Sequence, residues 1–225
     1  MEPSPYAGEL FGRLRAAAGD EWRAYTHHAF VEGMADGTLP EPAFRHYLAQ
    51  DYLFLIQFAR AYALAAYKAR TLEQIRHAAA GISAIVDTEM ALHVRFCKSW
   101  GLTEADMAAT PEAPETMAYT RFVLEAGVAG DLLDLHVALA PCVVGYGEIG
   151  LRLARMGGRE DNPYREWIET YSGEDYQDLA RGAAGTLDTL MAERGGPGRM
   201  AELERIFRQA TVLEAEFWQM GLRAA

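Results

Sequence analysis

A cysteine directly follows a proline in Ala138-Leu-Ala-Pro-Cys-Val-Val-Gly-Tyr-Gly-Glu-Ile-Gly150, with Tyr146 four residues beyond it. Proline has no N–H and its ring clashes with the carbonyl four residues back, so a helix is expected to start or kink at Pro141. A thiol at such a break lies near unpaired backbone N–H groups, whose partial positive charge favours the thiolate. Residues i and i+4 share a helical face, which directs Cys142 and Tyr146 into one space. A nucleophile beside a hydroxyl suits covalent catalysis. A free cysteine is also commonly a small buried hydrophobe, and the rest of the chain decides between the two.

Two carboxylates stand beside aromatic rings. Asp51 is followed at three and four residues by Phe54 and Leu55, then by Phe58 and Tyr62. An aspartate is rarely buried without a partner, so Asp51 either projects from this aromatic face or rolls into solvent. Glu214 repeats the pattern with Phe217 and Trp218. Such pairs suit a flat heteroaromatic ligand: rings stack on it, and carboxyls bind its amino groups and protonated nitrogens. Tyr119, Tyr146 and Tyr171 add hydroxyls, though each alone also reads as a core tyrosine. Glu89 and His93, four apart, have the spacing of a bundle metal site and equally of an ordinary i,i+4 hydrogen bond. No second Glu-x-x-His completes a ligand set. His27, His28 and His46 have no ligand spacing. Gly145, Gly147 and Gly150 follow no strand and make no phosphate loop; they suit close approach of a neighbouring helix or a ligand.

The elements that must position these groups are helical. Alternating β-branched runs are absent, while Leu48, Tyr52, Leu55, Phe58 and Tyr62, or Leu203, Ile206, Phe207, Val212 and Phe217, recur at helical spacing. Breakers divide the chain into helices expected at 5–17, 20–35, 41–68, 72–100, 114–127, 130–156, 162–170, 174–193 and 197–222. Thr103 and Ser172 are expected N-caps. No linker separates domains, so residues 1–225 are read as a single-domain all-α bundle with small-molecule sites between helices.

Composition narrows the function. Lys and Arg number 21 against 32 Asp and Glu, a net charge of −11, the wrong sign for nucleic acid or an anionic membrane. No unbroken apolar run reaches about 18 residues, and Met1-Glu-Pro-Ser-Pro-Tyr6 has no signal-peptide character. The expectation is a cytoplasmic protein whose Cys97 and Cys142 are free thiols rather than a disulfide.

These residues, in this order, resemble the TenA family, also called thiaminase II or aminopyrimidine aminohydrolase. The matching segments are His28-Ala-Phe-Val-Glu-Gly33 with Asp36-Gly-Thr-Leu-Pro40, Tyr47-Leu-Ala-Gln-Asp51, Thr88-Glu-Met-Ala-Leu-His93, Ala140-Pro-Cys142 with Tyr146 and Glu148, Trp167-Ile-Glu-Thr-Tyr171, and Glu214 with Phe217-Trp218. They span about residues 20 to 222. The resemblance implies an all-α fold of the haem-oxygenase-like type, a homotetramer, and neither haem nor metal. It implies hydrolysis of 4-amino-2-methylpyrimidines with a 5-methylene leaving group, in thiamin salvage or degradation. By resemblance Cys142 is the nucleophile, Asp51 the carboxylate on the aminopyrimidine, and Glu214 the proton-transferring carboxylate at the other ring edge. Tyr119, Tyr146 and Tyr171 are pocket tyrosines, and Phe54 and Phe217 line the ring. Cys142 points to the cysteine-containing branch. Phe54 and Leu213 stand where some members carry tyrosine, which bears on substrate preference. Two alternatives accompany this reading. One is an oxidase of similar architecture, metal-dependent through Glu89 and His93 or cofactor-free. The other is a non-catalytic regulator, against which the acidic charge speaks.

Overall fold

The computed structural model describes residues 4–6, 8–157 and 161–225, and among these there is no strand. Twelve α-helices follow one another: α1 Glu9–Ala17, α2 Gly19–Thr26, α3 Ala29–Asp36, α4 Glu41–Lys68, α5 Leu72–Ser83, α6 Met90–Ser99, α7 Glu104–Ala108, α8 Pro114–Ala129, α9 Leu132–Met156, α10 Arg165–Ser172, α11 Glu174–Arg194 and α12 Arg199–Arg223. A π-helical turn, Ala84–Glu89, joins α5 to α6. Gly158, part of the expected break at 157–158, lies outside the described residues, as do positions 1–3 of the N-terminal segment and position 7 of the first expected helix.

The all-α expectation holds, with local corrections. The stretch 20–35 is two helices, because His28 stops one and caps the next: its ring accepts from the Phe30 N–H at 3.2 Å. Thr103 caps α7 as expected, in a reciprocal box with Asp106. Ser172 does not cap; it is the last residue of α10, and Gly173 occupies the cap position of α11. Asp131 and Asp134 form a second capping box at the start of α9.

Helix α9 is the central element, with its residues from Leu132 to Gly147 all buried. It is long and apolar enough to cross a membrane by length and composition, but 94% of its apolar window lies inside the bundle. Neighbouring helices surround it: α8, α10, α11 and α12 pack on it, and α4 lies against α8 and α12. The glycines of α9 make this approach possible. A Cβ on Gly145 would sit 2.5 Å from the Tyr25 ring, and one on Gly150 2.5 Å from the Tyr171 backbone. Of the two roles expected for these glycines, close helix packing is the one observed.

Pro141 requires the main revision. It stands inside α9 rather than at its start, ten residues past the Asp131 cap, so Cys142 has no helix N-terminus beside it. The Pro141 carbonyl, in the core, accepts from the Tyr25 hydroxyl at 3.2 Å.

Candidate active site

Four long helices bring the expected residues together. Helix α4 supplies Asp51 and Phe54, α8 Tyr119, α9 Cys142 and Tyr146, and α12 Glu214 and Phe217. All seven are buried, and Cys142 keeps the most surface at 9%. By contrast Cys97 is completely buried in α6. Both thiols are free, as expected.

One side of this buried cluster is built around Glu214. The Tyr119 hydroxyl donates to its Oε1 at 2.8 Å, and the Cys142 thiol is near enough to interact electrostatically with the same carboxylate. Burial pushes Glu214 up to about 8; the charge of Asp51 adds to this, while the Tyr119 hydrogen bond and the nearby Cys142 thiol partly offset it. At neutral pH Glu214 is therefore a protonated acid, able to donate to a ring nitrogen.

The thiol differs from the sequence expectation. Burial raises the Cys142 pKa well above its ordinary value, and Glu214, Glu89 and Asp51 raise it further. The site around the sulfur is electronegative, so the resting group is a thiol. Thiolate forms only when a base accepts its proton, and a Glu214 that has just given its own proton away is that base.

Opposite Glu214 stands a pair that the spacing of Asp51 alone did not reveal. His93 Nε2 lies 2.5 Å from Asp51 Oδ2, and its Nδ1 lies 2.8 Å from the Glu89 carbonyl oxygen. Both partners are acceptors, so a ring that donates to both is an imidazolium. Burial lowers the His93 pKa, but Asp51 and Glu89 together outweigh it and the net direction is upward. The Tyr47 hydroxyl, one turn before Asp51, also donates to Oδ2 at 3.3 Å. His93 thus has both nitrogens engaged, and among the described residues no group of three or more His, Cys, Asp or Glu could hold a metal ion. The Glu89/His93 spacing serves a backbone hydrogen bond instead.

Aromatic rings form the walls between the two ends. Phe54 lies 5.0 Å from Tyr119 and 5.6 Å from Phe217, centre to centre. Behind them Trp218 packs on Tyr47 at 5.0 Å and on Tyr146 at 5.3 Å. Tyr146 accepts a long hydrogen bond from Tyr47 at 3.5 Å. Tyr171 is set apart from the Glu214 end: it packs on Tyr146 at 5.1 Å and donates to Glu89 Oε1 at 3.0 Å. Glu89 is half-buried and forms part of an outer cleft of about 700 Å³ with Tyr171, Tyr176, Arg95 and Glu169. Burial pushes its carboxyl up to about 7; the charge of Asp51 adds to this, and His93 and the Tyr171 hydrogen bond oppose it.

Tyr47 joins the site beyond the residues given a role from sequence, and Glu89 and His93, singled out there as a possible metal pair, join it through Tyr171 and Asp51. Tyr47 had a signal in its place four residues before Asp51. Taken together, these side chains offer aromatic faces for a flat ring, two carboxyl groups and a thiol.

Comparison with known proteins gives the family and the fold. A model of the TENA/THI-4/PQQC family matches residues 15–224. The aminopyrimidine aminohydrolase of Halalkalibacterium halodurans is 36% identical over 201 residues, covering 89% of this chain and 89% of its own. That of Bacillus subtilis is 30% identical over 210 residues, covering 93% and 88%. The crystal structure of a TenA family transcription regulator from Silicibacter sp. TM1040 superimposes with a TM-score of 0.90 at 51% identity, covering 97% and 98%. The all-α fold is thus TenA-like, of the haem-oxygenase-like type.

Proposed function

The chain belongs to the TENA/THI-4/PQQC family, and on that premise we propose that it is an aminopyrimidine aminohydrolase of the cysteine-containing branch. Its substrates are 4-amino-2-methylpyrimidines carrying a leaving group on the 5-methylene, and its setting is thiamin salvage or degradation. What supports this reading is the burial together of Cys142, Asp51 and Glu214 in the bundle, with Glu214 oriented by the Tyr119 hydroxyl at 2.8 Å and Asp51 paired with His93 at 2.5 Å.

The steps follow from this cluster. Asp51, held by His93 at 2.5 Å, accepts from the exocyclic amine. Phe54 and Phe217 stack on the ring, with Tyr146 and Tyr171 closing the remaining sides. Glu214 protonates a ring nitrogen, which makes the ring electrophilic, and then takes the proton of Cys142. The sulfur adds to the ring, the group on the methylene departs, water captures the methylene, and the C–S bond breaks to restore the aromatic ring. No cofactor enters these steps.

We also propose that four copies assemble. Tyr67, at the end of α4, is 86% exposed, and Leu72 at the start of α5 is 59% exposed. Closed symmetric oligomers are the common way to cover such surface. Direct DNA contact is not favoured, because a chain of net charge −11 lacks the cations that phosphates require. The test is turnover of 4-amino-5-aminomethyl-2-methylpyrimidine, its formyl derivative and thiamin, with the hydroxymethylpyrimidine product followed by chromatography. Product from at least one supports the assignment; none from any of the three refutes it.

A further inference from the structure

The steps above leave one acid beside the cluster unused. Glu89 sits at the last position of the π-helical turn, a rare geometry that recurs at functional sites. That turn directs the Glu89 carbonyl to His93 and the carboxyl to the Tyr171 hydroxyl. The same side chain bears electrostatically on Cys142 and Asp51 inside the cluster and borders the 700 Å³ cleft outside it. Glu89 therefore stands between the outer cleft and the Tyr171 and His93 side chains, the second of which pairs with Asp51. Glu214, the acid for the ring, acts on the same thiol but does not border that cleft.

A ring clamped between Asp51 and Glu214 must point its methylene substituent toward the way out, since a leaving group needs an exit. We propose that Glu89 is a second catalytic acid, placed on the exocyclic side to protonate the departing amine and then to accept a proton from the incoming water. This rests on the aminohydrolase reading above. The atoms balance. As the methylene C–N bond breaks, its electron pair goes to nitrogen, Glu89 supplies the proton, and ammonia leaves with Glu89 as a carboxylate. Water then forms the C–O bond and returns a proton to Glu89. Where the amine arrives as ammonium, the Glu89 carboxylate holds it, and the pair carries the same single proton. A thiazolium leaving group departs as neutral thiazole and needs no proton, so dependence on Glu89 is a property of amine substrates.

The experiment is single-turnover release of ammonia from the aminomethyl substrate and of thiazole from thiamin, in wild type, Glu89→Gln and Glu89→Asp. General acid catalysis contributes about a hundredfold or more, so Glu89→Gln should slow ammonia release by about that factor. The loss of thiazole release should be about tenfold smaller, as no proton is required there. Across N-alkyl leaving amines of falling basicity, the Glu89→Gln loss should shrink steadily. Glu89→Asp, which keeps an acid, should recover part of the ammonia rate. Equal losses for every leaving group, with no recovery by aspartate, would overturn the proposal and make Glu89 a structural residue. A wild type that releases neither leaving group defeats the aminohydrolase reading and this inference with it. A wild type that is active with a flat leaving-group series defeats the inference alone.

Discussion

Replacing Glu214 by glutamine should destroy activity and stabilise the protein, by an amount the structure sets. Its carboxyl goes from an ordinary value of 4.5 to about 8 on folding, chiefly through burial. A folded-state pKa above the unfolded one means that folding favours the protonated form. The group's contribution is fully present below 4.5 and lost as pH rises to about 8. That difference of roughly 3.5 pH units, at about 1.4 kcal/mol each, amounts to up to roughly 5 kcal/mol. The glutamine side chain would keep an acceptor for Tyr119, whose hydroxyl lies 2.8 Å from Oε1 of Glu214, and would not ionise. Urea unfolding of both proteins from pH 4.5 to 9, followed by fluorescence of the buried Trp22, Trp167 and Trp218, measures the effect. Glu89 also titrates in this range, but its charge partners are His93 and Asp51, so it cancels in the difference. The two stability curves should converge near pH 4.5 and separate steadily above it. At pH 9 the variant should melt above wild type by up to roughly 10–20 °C, taking about 2–4 °C per kcal/mol for a chain of this size. Curves that run parallel within about 1 kcal/mol would show that Glu214 is not held protonated, and its role as the ring acid would fall.

Asp51→Asn removes the charged partner of His93 and should weaken binding of the hydroxymethylpyrimidine product by about 1–3 kcal/mol in calorimetry; unchanged affinity would make Asp51 structural. Gly150→Ala places a Cβ 2.5 Å from the Tyr171 backbone, so it should push α10 away and destabilise the fold by about 1–3 kcal/mol in denaturant unfolding. An unchanged midpoint would mean α10 yields freely. Light scattering at micromolar concentration should give about four times the 24.9 kDa chain mass, and a clean monomer would refute the tetramer without touching a site drawn from one chain.

Much of the fold was legible because breakers are strong local signals: the stretches Asp36 to Pro40, Pro111 to Pro114 and Gly195 to Gly198 each mark the boundary of two helices, with Asp36 ending α3 and Pro114 opening α8. The break at His28 was not, because histidine is an uncommon cap and the apolar spacing runs through it. The π-helical turn at Ala84–Glu89 was also hidden, since it contains neither glycine nor proline and interrupts no pattern. At the site, the residue types next to aromatic rings pointed to Asp51 and Glu214 correctly as buried groups. The state of Cys142 was misjudged for a physical reason: Pro141 is a local feature, but the charges that act on the sulfur come from α4, α12 and the π-helical turn. No reading of neighbouring residues contains that information. Glu89 and His93 were singled out by their spacing, yet only the approach of Asp51 across the bundle shows what His93 pairs with.

The most direct measurement is the turnover of the aminomethylpyrimidine by Cys142→Ser, set beside its affinity for the hydroxymethyl product. A hydroxyl in the place of the thiol, facing Glu214, Glu89 and Asp51, is far harder to deprotonate, because serine has no accessible anion near neutral pH. Turnover should fall to about a hundredth of wild type or less while product affinity stays within about threefold. A variant that keeps more than about a tenth of the wild-type rate would contradict covalent catalysis by Cys142.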